Sequence, residues 1–195
     1  MGRMDEGWRE SQIAQELDPS HDHRSDNLAR RGQHEQAIAI EEMMLRRNPD
    51  DGYEHVLIYR EYMRKGMYEE ATKHLDEVSI LFGVPEIAAE SRRARAVSGY
   101  RGAIRASLKG WEHLWATHQA FLPVNFAELN ASLGDKDRAF YWLEQAYAHH
   151  DIGIASTDVG LERLNNDFLL NPLRSDPRFR DLVRRVGLPE IPVGN

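Results

Sequence analysis

Six cations, Arg92, Arg93, Arg95, Arg101, Arg105 and Lys109, fall between Ser91 and Gly110 with no acidic residue among them. Such a run is suited to holding a carboxylate, a phosphate or another anion. Helical positions four apart share a face, so Arg101, Arg105 and Lys109 would present three charges in one line, a basic face for an anionic ligand or an acidic peptide. Aromatic residues do not interleave in the pattern that single-strand stacking uses, and the chain as a whole carries a net charge of −7, which opposes wholesale binding to a phosphate backbone. A nucleic-acid partner is therefore not expected.

Other chemistries find less support. Histidines stand close together at His21-Asp22-His23, at His113 with His118, and at His149-His150-Asp151. Two ligands on one loop do not close a coordination sphere, and an i, i+5 separation turns two side chains to different helix faces, so no metal site is expected. Spacing defines no Ser/His/Asp order, nucleophile elbow or facing carboxylate pair, and no Gly-rich phosphate cradle precedes a Lys. The chain contains no cysteine, which excludes disulfides, thiolate ligands and thiol nucleophiles. It is read as a binding protein without a cofactor, not as an enzyme.

The elements that carry these residues follow from a repeat. Gly followed five residues later by Ala occurs at Gly32/Ala37, Gly66/Ala71 and Gly134/Ala139, with separations of 66 − 32 = 34 and 134 − 66 = 68, twice 34. That period belongs to the tetratricopeptide repeat, a helix–turn–helix unit that cannot bury its apolar face alone and stacks on its neighbours. The clearest unit has His55, Ile58, Tyr59 and Tyr62 at helical spacing before Gly66, then Tyr68, Ala71, Leu75 and Val78 as the inner face of a second helix. Phe126, Leu129 and Leu133 precede Gly134 in the same way, and Ala139, Phe140, Leu143, Ala146 and Tyr147 follow it. In the first unit Arg24 and Glu41 take apolar places, which predicts a frayed or solvent-facing first helix. In the third, Tyr100 and Arg105 replace the Gly and the Ala; Ile104, Leu108, Trp111 and Trp115 still form a helical stripe, and Gly99 or Gly102 is expected to turn the chain.

The fold expected is all-α: a right-handed solenoid of helix–turn–helix units of the tetratricopeptide type, with a C-terminal capping helix. Residues 1–17 are read as the remnant of a preceding repeat helix or an N-terminal cap, 18–151 as an array of about four helix pairs with the third degenerate, 152–166 as a linker loop, and 167–195 as a capping segment. In the last, Asp176-Pro177 supplies a cap and a first-turn proline before Phe179, Leu182, Val183 and Val186, and Gly187 supplies the stop. The first residues lack the apolar run of a signal peptide, and no stretch approaches the roughly 20 apolar residues of a membrane span, so a cytoplasmic protein is expected.

The run from Ala131 to Tyr147 (ASLGDKDRAFYWLEQAY) and the later run from Asn171 to Pro189 (NPLRSDPRFRDLVRRVGLP) resemble the C-terminal tetratricopeptide segment of bacterial multidomain signalling proteins, in which such arrays follow kinase, adenylate cyclase, TolB-like or winged-helix regulator modules. The resemblance implies a sensory or scaffolding region that binds a protein or peptide in the concave groove lined by the first helix of each pair. The groove candidates, opposite the buried stripes, are Tyr53, Val56, Arg60, Met63 and Arg64 in the second unit and Asn125 and Glu128 in the fourth. Some members clamp a terminal carboxylate with Lys and Asn; the matching places here are Asp22, Asp26, Leu57 and Glu90, so that clamp is not expected.

Overall fold

A computed structural model describes residues 24–118, 123–149, 164–165 and 167–189. The expectations for residues 1–17 and for most of 152–166 lie outside the described residues. Within them every regular element is helical: α1 (Arg24–Arg30), α2 (His34–Arg47), α3 (Gly52–Arg64), α4 (Tyr68–Leu81), α5 (Pro85–His118), α6 (Pro123–Leu133), α7 (Lys136–Ala148), the 3-10 turn η1 (Phe168–Leu173) and α8 (Pro177–Val186). Packing divides the chain into two compact units, residues 1–103 and 104–195, with α5 contributing to both. None of the described helices is long and apolar enough to cross a membrane.

In the first unit α1 packs on α2, α2 on α3 and α3 on α4. Gly32 and Gly66 end α1 and α3 with φ of 77° and 73°. The residue after each donates its N–H back across five positions, Gln33 to the Leu28 carbonyl and Met67 to the Tyr62 carbonyl, both at 2.9 Å. This left-handed cap satisfies the last carbonyls of a helix while reversing the chain. Five residues on, Ala37 and Ala71 are completely buried.

Two details differ from expectation, and the third turn falls at one of its two expected places. Helix α1 does not simply face solvent, because Ser25 and Leu28 are buried, and Glu41 is buried on α2 at 1% exposure. Tyr68 opens α4, before that helix reaches the core; it is exposed and stacks on Tyr100 with ring centroids 4.5 Å apart. The third turn lies at Gly99, where α5 is interrupted by Ser98 (φ −132°, ψ 18°) and Gly99 (φ 60°, ψ −161°).

At that turn the chain folds back on itself. A Cβ built on Gly102 would lie 2.6 Å from the Ala94 carbonyl oxygen and 2.8 Å from the Ser98 Cβ, although in a straight helix residues eight apart are about 12 Å distant. Gly99 therefore makes the bend between a proximal arm (85–98) and a distal arm (100–118) of α5, and Gly102, lacking a side chain, admits the Ala94 backbone within the first unit. The Tyr100 N–H that the break exposes donates to Glu69 Oε1 at 2.9 Å.

In the second unit Ile104, Leu108 and Trp111 bury one face of the distal arm of α5. Helices α6 and α7 form a hairpin around Gly134 (φ 82°), with Asp135 donating its N–H to the Asn130 carbonyl at 3.0 Å. The Asp135 carboxylate caps α7 by accepting the Arg138 N–H at 3.0 Å. Helix α8 packs on α7 and η1 on α6. Asp176 caps α8, Pro177 opens it and Gly187 (φ 82°) closes it, while Phe179, Leu182 and Val183 are buried.

Candidate partner-binding site

The basic run divides by what its members touch. Arg92 reaches Glu77 at 3.0 Å and Asp76 at 3.4 Å, Arg93 pairs with Glu90 at 2.6 Å, and Arg95 donates to Asp76 at 2.5 Å and to the Thr72 hydroxyl at 3.0 Å. Asp76 is only 1% exposed, so Arg92 and Arg95 bind the proximal arm of α5 to α4, while the Arg93–Glu90 pair lies within α5 itself. Arg101, Arg105 and Lys109 are all exposed.

The residues expected in a concave groove lie on α3 and α6. In the first unit Tyr53 and Val56 are half-buried, while Arg60 and Met63 are buried at 8% and 6% exposure. Arg64 is hydrogen-bonded to Glu61, whose other oxygen lies 2.8 Å from His34 Nδ1. In the second unit Asn125 is half-buried and Glu128 is buried. Arg60, Met63 and Glu128 thus offer little surface as they stand.

The second unit contains a groove of about 800 Å³ between the distal arm of α5 and the α6–α7 hairpin, within the volume range of ligand-binding clefts. Arg105 and Lys109 stand on its α5 wall, with Trp115 further along; Arg138, Tyr141 and Trp142 come from α7. Trp115 meets Trp142 edge to face at 5.0 Å. The Arg138 guanidinium lies over both α7 rings, 4.6 Å from the Tyr141 centroid and 5.2 Å from that of Trp142. Glu112 holds this arrangement: one oxygen accepts the Trp142 indole N–H at 2.8 Å and the other accepts from Arg138 at 2.9 Å.

Both carboxylates lining the groove are thereby committed, Glu112 to Arg138 and Trp142 and Asp135 to the cap of α7. Arg105 and Lys109 have no carboxylate within ion-pair distance among the described residues. Three cations and two carboxylates line the groove, a balance of 3 − 2 = +1 in a chain of net charge −7.

Among the described residues no three His, Asp or Glu side chains come together to hold a metal ion. His21, His23, His150 and Asp151 lie outside the described residues, and His113 is exposed. Comparison of the chain with protein-family models, with curated proteins and with solved structures returns no match.

Sequence reasoning finds Arg105 and Lys109 but not the aromatic half of the groove. Trp115 reads as part of an apolar stripe, and nothing in a linear pattern says that Trp142 and Arg138 converge on it. The signal that could have found them is the spacing of Arg138 and Tyr141, three apart on one helix, which brings a cation over a ring.

Proposed function

We propose that this chain is a tetratricopeptide-type interaction module, a right-handed solenoid of helix–turn–helix units closed by α8, that binds a partner protein or peptide in the bacterial cytoplasm and serves signalling or regulation. The observation that carries the reading is the series of positive-φ glycine turns at Gly32, Gly66, Gly99 and Gly134, separated by 34, 33 and 35 residues. Units of this kind bury little alone and expose broad side-chain surfaces when stacked, which suits binding rather than catalysis. The resemblance of residues 131–147 and 171–189 to arrays in bacterial signalling proteins supports the same reading.

A second reading places the contact on the basic residues of α5, and the groove carrying Arg105 and Lys109 favours it over the concave face. Affinity capture with the full chain tests both. A partner retained by the wild type and lost with Tyr53→Ala/Val56→Ser assigns the concave face; one lost with Arg105→Glu/Lys109→Glu assigns the groove. If the wild type retains no protein above a control surface, the interaction-module reading is wrong.

A further inference from the structure

We infer that the groove between the distal arm of α5 and the α6–α7 hairpin receives an acidic segment of a partner protein, whose carboxylates engage Arg105 and Lys109 while an apolar or aromatic side chain packs against Trp115 and Tyr141. This deepens the interaction-module reading and rests on it.

Charge complementarity selects the occupant. Arg105 and Lys109 are exposed cations with no carboxylate partner among the described residues, and one helical turn separates them, a rise of about 6 Å. Glutamates two apart on an extended strand or four apart on a helix match that spacing of about 6–7 Å. The acids already in the groove cannot serve: Glu112 is held by Arg138 and Trp142, and Asp135 by the α7 backbone.

The aromatic side of the groove points to a protein side chain. The Arg138 guanidinium already covers one face of Tyr141 and of Trp142, and Trp142 is almost wholly buried, so the rings do not form the open platform that successive nucleic-acid bases stack on. Tyr141 is 45% exposed, leaving apolar surface beside the two cations. A side chain packed there gains burial while the neighbouring carboxylates meet Arg105 and Lys109, the pairing of apolar anchor and charge that makes interfaces specific.

The test uses the full chain and fluorescein-labelled synthetic peptides read by anisotropy. One carries a Glu-Trp-Glu core in a Gly/Ser background, and one is helical with Glu residues four apart flanking a Trp; each has a Gln-for-Glu and a Lys-for-Glu counterpart. The expected result is at least tenfold tighter binding of one Glu peptide than of its Gln counterpart, falling with added salt. Arg105→Glu/Lys109→Glu, checked by circular dichroism, should reverse the preference toward the Lys peptide, a rescue that misfolding cannot mimic. Tyr141→Ala should weaken the Glu peptide severalfold without reversing its charge preference.

Equal affinity for the Glu and Gln peptides, or an unaltered preference in the charge-reversed variant, overturns the proposal. So does tighter binding of a thymidine oligonucleotide or of inorganic phosphate, which would make the site one for nucleic acid or a simple anion. A captured partner that the charge-reversed variant still retains would remove the groove while leaving the interaction module in place.

Discussion

Arg178 and Arg185, seven residues apart on α8, make the same double contact with α7. Arg178 donates to Asp137 at 2.8 Å and sets its guanidinium 4.1 Å from the Phe140 ring centroid. Arg185 donates to Glu144 at 3.0 Å and lies 4.7 Å from the Tyr147 centroid. Asp137 and Glu144 are also seven apart, as are Phe140 and Tyr147, so two turns of α8 repeat one clamp on two turns of α7. Arg178 additionally hydrogen-bonds the capping carboxylate of Asp176 and holds it down at about 2. The Phe179, Leu182 and Val183 face supplies the apolar burial, and the clamps set the register.

Removing both clamps should loosen α8 without unfolding the hairpin. Exposed ion pairs are worth roughly 0–1 kcal/mol and exposed cation–ring contacts about 0.5–1 kcal/mol. Amide exchange in residues 177–186 of Arg178→Ala/Arg185→Ala should therefore accelerate more than in α6. Uniform acceleration throughout the second unit would mean that the clamps do not act locally.

Gly102→Ala should be among the costliest single-methyl additions in the first unit. The new Cβ would meet the backbone oxygen of Ala94 at 2.6 Å, and backbone cannot rotate away as a long side chain can. Overpacking of this kind costs about 1–3 kcal/mol. Gly83→Ala is a useful comparison, because its φ is 77° but nothing lies within 4 Å of the added atom, leaving only left-handed strain of roughly 1–2 kcal/mol. Urea midpoints read both effects. A Gly102→Ala protein as stable as the wild type would show that the Ala94 backbone does not approach residue 102 so closely.

How far the structure could be read from the sequence depends on whether a feature is local or made by apposition. The Gly/Ala spacing locates the turns at Gly32, Gly66 and Gly134 and the fully buried Ala37, Ala71 and Ala139, because a left-handed cap and a close crossing each demand one residue type. Gly99 falls one place short of the strict period, and the Tyr100 N–H that follows it donates to Glu69 on another helix, a contact no linear pattern announces. Glu41 looks misplaced in a linear reading, yet it is buried, a property that burial periodicity cannot assign to a charge. The basic run illustrates the same limit. Nothing local distinguishes Arg95, committed to Asp76, from Arg105, which has no carboxylate beside it.

Overpacking the close crossings tests the register of the repeat. Ala71 and Ala139 have no exposed surface, so Ala71→Trp or Ala139→Trp should destabilise by about 2–3 kcal/mol or more. Glu70→Ala, one residue away from the first and on a partly exposed face, should stay within about 0.5 kcal/mol of the wild type. Thermal melts that leave both Trp variants unchanged would show the crossings to be elsewhere.

The pair His55 and His74 couples folding to pH. Their Nδ1 atoms are 2.9 Å apart, and His55 Nε2 lies 3.1 Å from the Pro49 carbonyl oxygen. A carbonyl only accepts, so His55 Nε2 carries a proton; one of the two Nδ1 atoms must then be the acceptor. Charging both rings would set two donors against each other. Burial first, then His55 and Lys73, push His74 down to about 4 from 6.5. The folded protein thus binds fewer protons than the unfolded chain between these values, and the contribution is present in full above pH 6.5 and lost as pH falls toward 4. Urea midpoints should fall between pH 7.5 and pH 5 for the wild type. His74→Asn, whose amide can still donate to His55 but cannot titrate, should show a shallower fall. Identical slopes for the two proteins would mean that the pair does not govern stability in that window.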